Sequence, residues 1–427
     1  MNGIEDHPLR YAMANELHAR PFPAMKAPAT VAYVAIKQPQ MAANRDRGED
    51  LRHLTDLLDR HGVPHPAPGA THYYGQIGRH WLKWEQHTEF VTYTVYSEGL
   101  SERAFDPTEF EPFPADWLAE APGERVTSIL LRIQARPRPA QIAAQLDTWF
   151  VPESLAVSSV LDDSAIVAGD FRIDANGHLR FSVFCAPDVG ERRVGRIVQR
   201  LCEIETYKSM SMLGFSRVRA MAPQLNALDT RLTALIGTMS DGASEAAETL
   251  DELLKFSAEL ETLAAQSSFR FGATGAYEAL VNQRITALRE ERWASRQSFA
   301  EFMMRRYEPA MRTVKSAEAR IAAMTARGVR AADLLRTRVD VERSAQNQKV
   351  LESMDRRSDL QLRLQRTVEG LSVVAISYYA VSLAGYLLYP LADGMGVSRG
   401  WLLAGVTPVV ILAVFLMVRR LRRAMEH

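Results

Sequence analysis

The chain of 427 residues has only two cysteines, Cys185 and Cys202, no net formal charge, and no long apolar run before residue 371. Two cysteines do not make a disulfide scaffold and read as buried thiols of a reducing compartment. The balance of charge removes any global electrostatic case for nucleic acid as a partner. The opening MNGIEDHPLR is polar and acidic, with no apolar stretch behind it, and does not read as a secretory leader. Absent too are GxxxxGK[ST], a GxGxxG following a strand pattern, HExxH and CxxC. The expectation is therefore a protein that is not an enzyme. Between Ala310 and Tyr389 there is no proline, and the only glycines are Gly328, Gly370 and Gly385.

What is present lies first at the C-terminal end. LSVVAISYYAVSLAGYLLYPL (371–391) is 21 residues without a charge, about 31 Å as a helix. Residues 401–418 are a second uncharged run of 18, about 27 Å long. The link ADGMGVSRG (392–400) is short enough to force an antiparallel hairpin, and Pro408 is tolerable because neighbouring helices satisfy the freed carbonyl. Arg363 and Arg366 precede the first run, and Arg419, Arg420, Arg422 and Arg423 follow the second. The link holds only Arg399, balanced by Asp393. This asymmetry puts both ends in the cytoplasm and the link outside, in a multi-pass protein of a bacterial inner membrane.

The first run carries hydroxyls. Ser372, Ala375, Tyr379, Ser382, Tyr386 and Tyr389 recur at alternating intervals of three and four, which places them on one helix face. Three readings stand: an interfacial aromatic belt, a small-residue packing seam, or the lining of an oligomeric pore. Tyr379 falls mid-span, where a belt does not account for it and a partner or water is needed.

The stretch 310–389 reads as one helix of about 120 Å running into the first span. Val314, Ala317, Ile321 and Met324 fit a heptad, and DVERSAQNQK (340–349) then reads as a solvated stalk or a wet subunit interface. An earlier seam keeps better register: Ile197, Leu201, Ile204, Lys208, Ser211, Phe215, Val218, Met221, Leu225, Leu228, Leu232, Leu235 and Met239. Pro223 suggests a kink or restart there, and SDGAS (240–244) a helix stop and recap. Val281, Ile285, Leu288, Phe299 and Phe302 mark a further amphipathic helix. Residues 189–370 thus form a bundle of long antiparallel helices, compatible with self-association.

Residues 1–188 differ, with more proline, histidine and aromatics. ATVAYVAIK (29–37) reads as a strand, 48–62 as an amphipathic helix ending at Gly62, 72–98 as two or three strands and 126–136 as another. Residues 165–185 hold Asn176-Gly177, a hairpin turn signal between strand patterns. The fold class is α+β: a mixed N-terminal α/β domain (1–188) with a largely antiparallel sheet, a long-helix stalk (189–370), and a transmembrane hairpin with a basic tail (371–427). Eight of the ten histidines precede residue 90, but no metal-binding spacing appears among them, and sheet-face or exposed positions are expected. NELHARP (15–21) sets Glu16, His18 and Arg20 at alternate positions. In an extended segment they point one way, either as a cluster for an anionic ligand or metal, or as a salt-bridged segment pinning the terminus.

NELHARP, EIETYKS (203–209) and LQLRLQRTVEGLSVVAISYY (360–379) together resemble a family of uncharacterised membrane-anchored proteins of proteobacteria, grouped only as a domain of unknown function. The resemblance covers the whole chain, supplies no activity and implies an inner-membrane location. The layout is also similar to CorA-type magnesium/cobalt channels, pentamers with a Gly-Met-Asn signature after the first span. Here that place reads Gly394-Met395-Gly396, with Gly396 at the Asn position and Asp393 where the channels carry tyrosine. That likeness implies a homo-oligomeric divalent cation channel whose external loop holds Asp393, Gly394, Met395 and Gly396. Its carboxylate ring would then attract hydrated cations. The alternative is a membrane-anchored binding or scaffold protein without transport. No cofactor beyond a possible divalent cation is expected, and the partners are the membrane and further copies of the chain.

Overall fold

The computed structural model describes residues 4–16, 22–40, 42–239, 246–394 and 398–425. Nine strands are seen among them: β1 (Ala29–Lys37), β2 (His72–Ile77), β3 (His80–Gln86), β4 (Val91–Glu98), β5 (Glu124–Ala135), β6 (Ala156–Val160), β7 (Ala165–Gly169), β8 (Leu179–Cys185) and β9 (Glu291–Arg292). The helices are α1 (Arg10–Glu16), α2 (Arg47–Arg60), α3 (Ala115–Ala119), α4 (Pro139–Trp149), α5 (Glu191–Thr238), α6 (Ala246–Leu288), α7 (Phe299–Arg306), α8 (Glu308–Gly394) and α9 (Arg399–Met425). The class is α+β, as the patterns imply. By compactness the chain divides into 1–241 with 251–331, and 242–250 with 332–427.

In the first unit the strands form one sheet in the order β2-β3-β4-β1-β5-β8-β7-β6-β9. Every pairing is antiparallel except β5 with β8. Alternation along β1 divides the core in two. Val31, Tyr33 and Ala35 point to one face, where Ile197, Leu201 and Ile204 of α5, Val281 of α6 and Phe299 of α7 join them. Ala32, Val34 and Ile36 point to the other, against Leu54, Leu57 and Leu58 of α2, Trp117 of α3 and Leu146 of α4. Each such aliphatic or aromatic side chain taken from water contributes about 1.5–3 kcal/mol. The sheet is thus covered on both faces, which is why β1 is apolar throughout instead of alternating.

Local chemistry sets the ends of these elements. The Asp46 carboxylate accepts from the Gly48 N–H at 2.8 Å and starts α2, and Gly62, at φ +62°, takes the left-handed turn after it. Arg45 is held in the protein interior. Its Nε donates to Asp50 Oδ2 at 2.9 Å, and its other nitrogens donate to the carbonyls of Ala42, His87, Thr88 and Phe90. That fork ties the start of α2 to the β3–β4 connection. β7 and β8 pair as the Asn176-Gly177 signal suggests, but the turn is not a tight two-residue hairpin. Pairing ends at Gly169–Phe181, and Asp174 Oδ1 accepts from the N–H groups of Asn176 and His178 to close a separate small loop.

The long helices pack up-down-up. Contacts Arg284–Glu203 and Gln266–Arg217 run α6 antiparallel to α5. Tyr307–Ser211 and Arg320–Asp229 run α8 parallel to α5. The seam from Ile197 to Leu235 is buried along its length apart from Lys208 and Phe215. Gly214 permits the α5–α6 approach, because a Cβ there would stand 2.1 Å from Thr274 Oγ1. α5 runs through Pro223 as one 48-residue helix and does not restart there. The apolar positions from Val281 to Phe302 are not one helix. α6 stops at Leu288, β9 pairs with β6, and Ser298 then caps α7. Periodicity missed this break because Leu288 and Phe299 return to the same core face after the excursion. SDGAS lies outside the described residues.

The second unit holds the rest of α8 and α9. Two helical stretches, Glu308–Leu388 and Gly400–Arg420, are long and apolar enough to cross a membrane. Pro408 sits inside α9 without ending it. α8 continues through Asp393 and Gly394, so those two residues close the helix and do not lie in a loop.

Candidate functional site

The hydroxyl stripe maps onto α8 as follows. Ser372 is exposed, Tyr379 and Tyr386 are each 72% exposed, and Ser382 is half-buried. Tyr389 is helical, with its side chain outside the described set. Tyr379 and Tyr386 are therefore not packed against α9. Ser377, 6% exposed, lies on the inner side instead, and Leu403 of α9 approaches Gly385 to 3.0 Å of where a Cβ would stand. The uncharged polar face also continues toward the N-terminal end of α8. Ser358, Gln361, Gln365 and Val368 precede Ser372 at the same alternating spacing, and with Val418 of α9 they line an open groove.

Of the external-loop set, Asp393 and Gly394 are helical, and Met395 and Gly396 lie outside the described residues. Gly396-Val397-Ser398-Arg399-Gly400 has the spacing of a nucleophile elbow. That motif needs a strand before the serine and a helix after it, and here helix α8 precedes it. The NELHARP cluster is likewise beyond view: Glu16 ends α1 with its side chain undescribed, and His18 and Arg20 are outside the described residues. The histidines mostly serve local structure. His53 stacks on Trp117 and lies 2.9 Å from Tyr93 Oη and 3.0 Å from the Trp117 carbonyl. His65 meets Asp59, and His87 stacks on Phe90. Among the described residues no three His, Cys, Asp or Glu side chains are grouped to hold a metal.

A polar cavity lies elsewhere, in the first unit. It holds about 300 Å³ between the sheet and the helices above it. Its floor is the face of β1, β3 and β4 carrying Tyr33, Lys83, Glu85, Thr92, Thr94 and Tyr96, and its roof is Gln199, Arg200, Glu203 and Thr206 of α5 with Arg284 of α6. Phe22, the first described residue after NELHARP, closes one side.

The position of each group follows from strand and helix period. Leu82 and Trp84 point into the opposite core, so Lys83 and Glu85 must point into this one. Gln199, Glu203 and Thr206 share one stripe of α5. The polar groups are paired. Lys83 Nζ donates to Gln199 Oε1 at 3.0 Å and lies 3.1 Å from Glu85 Oε1. Gln199 Nε2 donates to Glu203 Oε1 at 2.8 Å, and Arg284 ion-pairs with the same carboxylate. Tyr33 Oη and Thr206 Oγ1 are 2.6 Å apart. Burial pushes the Tyr33 and Tyr96 phenols and the Cys202 thiol well above their ordinary ranges, so all three stay neutral. Burial first, then the neighbouring Arg196 and Arg284, holds Arg200 below the usual guanidinium range. Beside the cavity, Glu89 takes an ion pair from Arg270 and a hydrogen bond from Tyr277 at 3.1 Å, fixing the β3–β4 end to α6.

Sequence reasoning missed this cavity, though it quoted two pieces of it: EIETYKS supplies Glu203, Thr206 and Tyr207, and the strand ATVAYVAIK supplies Tyr33. The available signal was charge at interior strand positions. In HWLKWEQ both Lys83, 4% exposed, and its neighbours Leu82 and Trp84, at 0%, are buried.

These features define a class: an α+β domain with a built polar cavity, carrying two helices of membrane-crossing length. The chain belongs to the family described as Protein of unknown function (DUF3422), whose profile matches residues 5–425. No curated protein and no solved structure matches it significantly.

Proposed function

We propose that the protein is a membrane-anchored binding protein rather than an enzyme. Its C-terminal hairpin holds it in the bacterial inner membrane, and the cavity under α5 and α6 receives a small polar ligand on the cytoplasmic side. The carrying observation is that the buried Lys83 and the half-buried Glu85, Glu203 and Arg284 are held around the cavity by mutual hydrogen bonds and ion pairs before any ligand arrives. Burying charge is costly unless it is paired, and a preorganised polar cavity lowers the ordering cost of binding. The arginines outside the two spans support the orientation. The test is a thermal-shift screen of small polar molecules on the full-length protein in detergent, beside a cavity-filled Thr94→Trp variant. Stabilisation of the parent alone supports the reading. A screen with no stabilising molecule, or equal shifts in both proteins, defeats it.

A second reading, a homo-oligomeric cation pathway, is favoured by one observation. Tyr379 and Tyr386 are exposed on the protomer, so their hydroxyls find partners outside the chain or none. Single-particle imaging of the full-length protein separates the two readings. A ring with Tyr379, Ser382 and Tyr386 on its axis, together with cation flux lowered by Asp393→Asn, supports a pathway. A monomer, or a dry axis, leaves the stripe as lipid-facing and interfacial residues.

A further inference from the structure

Lys83, Arg200 and Arg284 meet Glu85 and Glu203 around the cavity, and the imidazole of His87 also lines it. Three cations face two carboxylates, which leaves one positive charge in excess. The Tyr33 hydroxyl is engaged by Thr206 and the Cys202 thiol stays neutral, so neither offsets it.

The excess sits on groups with unused donors. An ammonium has three N–H donors. Lys83 directs two of them, to Gln199 and Glu85. Its side chain is 5% exposed, so bulk water does not reach the third freely. Arg200 gives one nitrogen to the Ala287 carbonyl at 2.8 Å and stands among Arg196, Arg284 and Arg289, with Glu203 as the opposing charge. Arg284 is occupied by Glu203 and Gln283.

Charge then selects among ligands. A cation would add a fourth positive group to an enclosed site. A neutral molecule would leave the excess uncompensated. A phosphate monoester, with nearly two negative charges, would overshoot it. A single carboxylate balances it and suits both an ammonium and a guanidinium fork. The walls beside the charged groups are the rings of Tyr33, Phe90 and Tyr96. The volume, about 300 Å³, equals roughly ten waters at about 30 Å³ each.

We propose that the cavity binds a small monocarboxylate, its carboxylate on Lys83 Nζ and the Arg200 guanidinium and its body against Tyr33, Phe90 and Tyr96. This rests on the binding reading above and adds the charge and size of the ligand.

Three probes of one shape and different charge test it: benzoate, benzamide and benzamidine, added at neutral pH to the full-length protein in detergent. Saturation-transfer NMR reports contact and calorimetry reports affinity. The expected result is binding of benzoate alone, weakened at least tenfold by Lys83→Met and by Arg200→Gln. Two variants are used because Lys83 is interior and Arg200 half-buried, and circular dichroism confirms that each is folded. Binding of benzamide or benzamidine as tight as benzoate overturns the carboxylate assignment while leaving a binding protein. Benzoate binding unchanged in both folded variants overturns the assignment to these residues. Binding of none of the three overturns the monocarboxylate assignment, while the binding reading is decided separately by the thermal-shift screen.

Discussion

Gly214 of α5 and Thr274 of α6 meet so closely that any side chain at 214 would collide with the threonine: a Cβ there stands 2.1 Å from Oγ1 and 3.0 Å from the threonine Cβ. Thr274 is itself held, since its hydroxyl donates to the Ser211 carbonyl at 3.3 Å. The threonine therefore has little room to turn away. Gly214→Ala should destabilise the protein by about 1–3 kcal/mol, the usual cost of overpacking. Thr274→Ala should cost less alone and should recover part of the loss when combined. A denaturation-based double-mutant cycle measures the coupling, and strict additivity would mean the two helices separate freely at this point.

Arg45 and Asp50 form an ion pair with both side chains 2% exposed. Replacing Arg45 with Met leaves a buried carboxylate and four carbonyls without their donor. The loss should be about 3–5 kcal/mol, larger than for breaking the exposed, solvent-screened pair Lys255–Asp251. Equal melting temperatures for the two variants would contradict this.

Glu109 gives a pH dependence. Burial raises its carboxyl pKa, against the lowering pull of the neighbouring Ser101 and of Arg132, and both carboxyl oxygens are buried without a well-formed hydrogen bond. A carboxyl with a raised folded pKa holds its proton more tightly in the folded state. Stability should therefore fall as pH rises from about 4, the unfolded value, through the folded pKa, and level off above it. Glu109→Gln should remove that fall and be more stable at neutral pH. A parent that gains stability relative to the variant across the same range would reverse the sign and reject the assignment.

The two native thiols should be inert. Cys185 is 3% exposed with its pKa pushed up to about 12, and Cys202 is 4% exposed and also raised, both chiefly by burial. A maleimide should label neither in the folded protein. Single cysteines can then report topology without removing them. Ser398→Cys should react with an impermeant maleimide in intact cells, and Ser358→Cys only after permeabilisation. The opposite pattern would invert the proposed orientation.

Much of this architecture was legible without coordinates because it is local. The short apolar run ATVAYVAIK, the cap and glycine around α2, the 3–4 seam of α5 and the charge-free runs after residue 370 each declare their element from nearest neighbours. Where the chain leaves its local pattern, the reading failed. β9 is two residues long and exists only because β6 offers a free edge, and α8 runs on through Pro390 to Asp393 and Gly394, against the local helix-breaking signal.

The sequence by itself determined which residues share a face and which segments suit an apolar solvent, since helix and strand periods and the hydropathy of a run are properties of neighbours in the chain. Tertiary structure alone decided what each face meets. It left Tyr379 and Tyr386 unburied by α9, and it brought Tyr33, Lys83, Glu203 and Arg284 to one cavity from two strands and two helices. No local period encodes that meeting. It follows from burying both faces of one sheet under helices far away in sequence, a long-range requirement of packing.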